Sequence, residues 1–417
     1  MPANRVTTLL LALLLAAPAA AQSGVDVSQA REIFSEIGGI LQDLHEITGY
    51  RIKHRVPAEI ITRDKVKEFL QQRLKEATSP EEIRVEELTL KKFGLVPRDF
   101  DLAKNTVDLL TEQAAAFYDF HRKRMFITDW TPSATREPAL VHELGHALAD
   151  QNVNLEKFIK QGRSSDDGSL ARLAVMEGQA QWLMTEYLAR KAGQSLATSP
   201  ALLETMARAA ESGAAEYPVF GSEPLYLRQT LVFPYSQGLL FQNAVYERMK
   251  QKAFQEVFRR PPVSTQQILH PDTYFSGLQP AQPELPQFPE ARGYKRIAEG
   301  TVGELDHAIL LEQYAGREES KAVSPHWRGG AYALLERRSP QRVVLLYAVA
   351  WDGAASAARY FHLYRQVLGK KWTHLAIDSE DATTLAGVGD DGHFLVQVTG
   401  NVVTSLEGAE NPVAPVR

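Results

Sequence analysis

His142 and His146 stand four residues apart, with Glu143-Leu144-Gly145 between them, in a stretch whose apolar spacing predicts a helix from Ala134 through Gln151. Residues four apart on a helix lie one turn above the other, so both imidazoles face one way and can share one metal ion. Glu143 can then reach a further coordination position, where a bound water gives up a proton to it. That chemistry constrains the fold. The segment has to be a rigid helix, and a second element has to bring another ligand to it.

The next strong helical pattern, Leu170 to Ala192, carries Glu177 in the run Ala174-Val175-Met176-Glu177-Gly178-Gln179-Ala180. A carboxylate in such an apolar helix is costly to bury unless it is paired or bound to metal. The small residues after Glu177, with Gly145 and Ala147 on the first helix, predict close packing of the two helices. His142, His146 and Glu177 would then form a His₂Glu set with one open position, the arrangement of catalytic zinc. Glu186 and Glu204 lie in more polar surroundings and are weaker candidates. The chain has no cysteine, so a metal site must use imidazole and carboxylate, and disulfides are excluded.

HELGHALADQ followed, 31 residues after His146, by EGQAQW resembles the gluzincin class of zinc peptidases, which place HExxH on one helix and a glutamate on the next. The matching segments cover about a tenth of the chain. AAAFYDFHRKRMFITDW is similar to the edge strand that gluzincins lay along the cleft, where an extended substrate can pair. The wider order AFYD, HELxHALxDQ, EGxA, FPYxxG and ILHP resembles exported bacterial proteins described as zinc peptidases. The resemblance implies a mostly helical zincin-like catalytic domain with a small edge sheet, one Zn²⁺ per chain, and a peptide or protein substrate. It also implies a Tyr or His from a later helix that stabilises the oxyanion. Tyr235, read as the start of a helix running from Gln237 to Lys250 and entered at Pro234-Tyr235, is the candidate; Tyr226 and His270 compete with it.

Asp150 lies four residues after His146, and Gln181 four after Glu177. Both are placed one turn beyond a ligand, where a second hydrogen-bonding group orients an imidazole. Structural roles such as capping account for them equally well. Arg228 is a candidate for holding a substrate carboxylate. His121 and Arg122-Lys123-Arg124 read as a solvated hairpin tip.

The N-terminus follows a different logic. Arg5, the apolar run Val6–Ala17, then Pro18 and Ala19-Ala20-Ala21 have the order of a secretory signal peptide, cut after Ala21 to leave Gln22 first. The expected location is therefore exported, periplasmic or secreted, with no membrane span after signal removal. A formal net charge of −5 without a dense basic stripe argues against nucleic-acid binding.

The expected class is α+β: a signal peptide over 1–21, a catalytic domain over 22–270, a proline-rich linker over 271–292, and a smaller α+β module over 293–417. Helices are expected from Val27 to Ile47, from Asp64 as cap to Ala77, from Ser79-Pro80, and from Pro200 to Ser212. Ser264 should cap a short turn of helix, and Arg51–Thr62 reads as a strand. Five prolines between Pro271 and Arg292 argue against helix or central strand there. In the last module, strands are expected over Ala331–Glu336, Arg342–Trp351, Thr373–Asp378, His393–Thr399 and Val402–Leu406, with a helix capped by Asp352. The expected reaction is peptide-bond hydrolysis with Glu143 as general base. The alternatives are a zinc amidase or esterase acting on non-peptide substrates, and a non-catalytic zinc-containing envelope binding or assembly protein.

Overall fold

The computed structural model describes residues 27–162, 165–214 and 217–414. The signal peptide over 1–21 lies outside them. The helical half comprises α1 (Val27–Thr48), β1 (Ala58–Ile61), α2 (Arg63–Ala77), α3 (Pro80–Phe93), α4 (Leu102–Gln113), β2 (Ala116–Asp119) and β3 (Arg124–Thr128). It continues with α5 (Ser133–Val153), α6 (Leu155–Gly162), α7 (Asp166–Lys191), α8 (Pro200–Ala214), α9 (Pro218–Ser222), α10 (Leu225–Met249), α11 (Ala253–Arg259), α12 (Thr265–Leu269) and α13 (Pro271–Ser276). The second half holds β4 (Lys295–Thr301), α14 (Glu304–Ala315), α15 (Arg317–Val323), β5 (Trp327–Arg338), β6 (Gln341–Trp351), α16 (Ala354–Lys371), β7 (Leu375–Glu380), β8 (Thr384–Gly389), β9 (Gly392–Thr399) and β10 (Val402–Ala409). The fold is α+β, mostly helical before residue 277 and built on a sheet after it. Among the described residues no helix is long and apolar enough to cross a membrane.

The small sheet has the order β1-β3-β2, with β1 parallel and β2 antiparallel to β3. β2 is thus an edge strand. The large sheet is antiparallel throughout, ordered β4-β5-β6-β10-β9-β8-β7, with α16 packed on it. One continuous apolar cluster joins the halves, from Leu44 on α1 through Leu144, Trp182 and Leu239 to Tyr347 and Val403.

Local sequence explains most boundaries. Ser79 and Glu82 form the capping box of α3, and Ser264 caps α12 by accepting from the Gln267 N–H. Five expectations need correction. Asp352 is not the cap of α16; Gly353 is the N-cap, and the Asp352 carboxylate accepts from Ser356 O–H. Asp64 is not the cap of α2; it lies in the first turn, where its charge suits the helix dipole, and Thr62 is the N-cap. The strand expected over Arg51–Thr62 is confined to β1. Pro234 does not open a helix but sits inside the 25-residue α10, so Tyr235 is a mid-helix residue. Extensive burial on both sides of Pro234 outweighs the lost backbone bond, a cost of about 3 kcal/mol. Finally, Pro271 starts α13 at N1, where a missing N–H is harmless.

The rest of the proline-rich stretch packs on the sheet. Ala281 N–H donates to Arg328 O, and Phe288 is buried with Leu335, Val344 and Leu406.

Candidate metal centre

α5 is buried continuously from Ala139 to Asp150, and α7 over nearly the whole span from Asp166 to Tyr187. They approach where side chains are small: a Cβ on Gly145 would stand 3.5 Å from the Ala180 Cα. Gly178 serves a different contact from the one expected. A Cβ there would lie 2.2 Å from a backbone carbon of Gly238, so glycine is needed where α7 crosses α10. Three helices therefore meet around Glu177. Ser165 caps α7, and the start of that helix is fastened to both halves: Asp166 accepts from Tyr332 O–H on β5, and Asp167 from Thr265 N–H and O–H on α12.

At this junction the structure brings His142, His146 and Glu177 together. Their ligand atoms all lie within 4.8 Å of one another, and the three residues are buried. His142 Nε2 stands 3.1 Å from Glu177 Oε2 and 3.1 Å from His146 Nε2, and His146 Nε2 is 3.2 Å from the same carboxylate oxygen. Tetrahedral ligands about 2.0–2.1 Å from a metal stand about 3.3–3.4 Å from each other, close to this triangle. Glu177 Oε1 and His142 Nδ1 have no hydrogen-bond partner. A compact triangle of donors with orphaned polar atoms behind it suits a cation, and these residues can hold a metal ion.

Burial works to raise the Glu177 carboxyl, but the two imidazoles outweigh it and hold it down to about 2. Burial presses His142 down to about 4, leaving a neutral imidazole with a lone pair to offer. At His146 burial acts downward, yet the charge of Glu177 prevails and raises it. Glu143 is also fully buried, and burial pushes it up to about 8. Its Oε2 accepts the Tyr118 N–H at 2.7 Å, while its Oε1 has no partner.

Tyr118 is the residue that sequence reasoning passed over. In the β2–β3 register its backbone N–H faces away from β3, toward α5. Its hydroxyl donates to Asp150 Oδ2 at 3.0 Å, so the edge strand is pinned to α5 at two points seven residues apart. A backbone N–H leaves no mark in sequence; only the edge-strand pattern hinted at it. Asp150, whose charge helps to raise His146, accepts its hydrogen bonds from Tyr118 O–H, Lys123 (2.5 Å) and the Leu155 N–H that begins α6. Lys123 reaches Asp150 from the exposed hairpin tip, where His121 and Arg122 also lie. Gln181 stands beside His142 and favours its charged form, short of a formed hydrogen bond to Nδ1.

Tyr235 is buried with its ring 5.9 Å from that of His142. Of its competitors, Tyr226 lies on the opposite face of α10 by helical period, and its hydroxyl acts on Asp306. His270 is paired with Glu304 at 2.8 Å.

Residues 291–415 match the family model described as Domain of unknown function (DUF8575). The match covers the sheet half and includes none of the residues of the His–His–Glu group. No curated protein and no solved structure matches the chain.

Proposed function

We propose that this chain is an exported zinc-dependent hydrolase that cleaves peptide bonds. The observation that carries the reading is the convergence of His142, His146 and Glu177 beside a glutamate with a free oxygen, Glu143 Oε1. A Zn²⁺ held by the three donors supplies a Lewis acid for a carbonyl oxygen and for water. Glu143 takes a proton from the attacking water and hands it to the departing amine nitrogen as the C–N bond breaks. The Tyr118 N–H holds the other carboxylate oxygen and aims the free one. Tyr235 donates its hydroxyl hydrogen to the oxygen of the tetrahedral intermediate. A purely structural metal site has no use for a buried glutamate next to its ligands, and it closes with four protein donors.

The test is cleavage of a mixed peptide library by the mature protein and by Glu143→Gln, with zinc content measured in both. Cleavage by wild type alone supports the reading. Equal cleavage by both, or zinc-loaded protein that cuts nothing, counts against it.

A further inference from the structure

Arg228 lies on α10 seven residues before Tyr235. Seven residues are close to two helical turns, so the two side chains share a face and stand about 10 Å apart along the axis. Tyr235 reaches the His142 ring from that face. Arg228 is thus on the side of α10 that looks toward the metal group, displaced by a short stretch of peptide.

Its guanidinium is left without a match. Arg228 is half-buried, and its Nε is closed off from solvent with no acceptor. Among the described residues no carboxylate, carbonyl or ring partners it. Other side chains of the same helix are paired: Gln229 donates to Glu312 at 3.0 Å, and Arg248 meets Asp272 at 2.6 Å. The basic crevice at the seam of the two halves differs in the same respect. It is lined by Lys91, Lys92, Arg98 and Lys371, but these already face Glu87, Asp391, Asp390 and Glu407. A buried donor without an acceptor destabilises the fold, and a carboxylate brought by a ligand removes that cost. Arginine stays charged at any working pH, and its planar fork fits a carboxylate through two parallel hydrogen bonds.

We propose that Arg228 anchors the C-terminal carboxylate of a peptide substrate, so that cleavage falls a short, fixed distance from a free C-terminus. This rests on the peptidase reading and narrows its substrate class. An extended peptide advances about 3.3–3.6 Å per residue, so about 10 Å of helix axis corresponds to two or three residues between the cut and the chain end. One water is consumed. The C–N bond breaks, the water oxygen enters the new carboxyl group, and its proton goes to the amine of the released di- or tripeptide.

The test offers one degenerate hexapeptide library to the zinc-loaded full chain in two forms, as free acids and as C-terminal amides. Wild type is expected to cut the acids at least tenfold more efficiently, mainly through KM, two or three residues from the end. Arg228→Gln should bring the acids down to the level of the amides, and Arg228→Lys should restore part of the difference. A structural arginine would change both forms alike. Equal cleavage of acids and amides by wild type overturns the anchor and leaves the peptidase reading standing. If wild type cuts neither form, that reading falls. Binding to zinc-loaded Glu143→Gln then decides the anchor separately. Acids held tenfold more tightly than amides, with the difference lost in the Glu143→Gln/Arg228→Gln double variant, support it. Equal or absent binding overturns it.

Discussion

In the sheet half, Glu407 is as fully buried as Glu177 is among the helices, yet the two carboxylates are surrounded differently. Glu407 spends both oxygens within the fold. Oε1 accepts from Tyr364 O–H at 2.6 Å and Ser405 O–H at 2.9 Å, and Oε2 meets Lys371 Nζ at 2.6 Å. Beside it, Tyr360 and Tyr347 are joined at 2.8 Å, Tyr347 is bonded to His307, and His307 Nδ1 donates to Gly303 O. Around Glu177, by contrast, one oxygen sits in a triangle with two imidazole nitrogens, and Glu177 Oε1, His142 Nδ1 and Glu143 Oε1 have no partner. Buried polar groups normally find partners within the protein. A completed network fixes a structure; an incomplete one at the meeting point of three helices leaves valences for something the protein binds. Burial alone does not separate the two cases, and the state of each polar atom does.

The comparison is broken most severely by removing the groups themselves. Glu143→Gln should lower kcat/KM for peptide hydrolysis by about 10²–10⁴-fold, the usual contribution of a general base, while bound zinc stays stoichiometric. Glu177→Ala should lose both activity and metal, read by metal analysis after dialysis. Stoichiometric metal in Glu177→Ala would mean that the triangle is not the site. The matching change in the other half is Glu407→Gln. It leaves Lys371 buried without its counter-charge, and urea unfolding should show a loss of about 3–5 kcal/mol. Activity per folded molecule should not change. A large fall in kcat/KM with intact stability would show that the sheet half takes part in the chemistry.

How far the sequence announced this contrast depends on which physical signal each part carries. His142 and His146 are legible because helical period dictates their common direction, and Glu177 because a charge in an apolar helix demands an explanation. Tyr118 was hidden because its contribution to Glu143 is a backbone N–H. The true start of α10 was hidden by Pro234, which more often opens a helix than interrupts one. Gly178 was read as a contact with α5, whereas the tight crossing is with Gly238, sixty residues further on. β4 gave no alternating pattern because it is an edge strand with Ala298 as its fully buried residue. Long-range partners are thus the part that local pattern does not encode.

Metal binding gives a smaller effect that sharpens the same contrast. Zinc at a free concentration about a hundred times its dissociation constant should stabilise the metal-free protein by about 2.7 kcal/mol, seen as a rise in Tm. The rise should vanish in Glu177→Ala and persist in Glu407→Gln. A zinc-dependent shift that survives Glu177→Ala would place the bound ion elsewhere.

The finest distinction concerns Gln242, seven residues beyond Tyr235 on the same face of α10. It is 0% exposed, and neither its amide oxygen nor its amide nitrogen has a partner. Two explanations give opposite signs. If the amide is merely tolerated, Gln242→Met keeps the unbranched shape, removes two unsatisfied groups, and should raise stability by about 1 kcal/mol. If the amide is reserved for a bound group, as the orphaned atoms of Glu143 and Glu177 are, the same change should lower kcat/KM without a gain in stability. We expect stabilisation with activity intact. Gln242 is wholly enclosed, whereas Arg228, two positions back along the same seven-residue spacing, keeps part of its side chain at the surface. Urea unfolding and peptide hydrolysis measured on the one variant separate the two outcomes. A loss of activity there would extend the substrate-facing row on α10 from Arg228 and Tyr235 to Gln242.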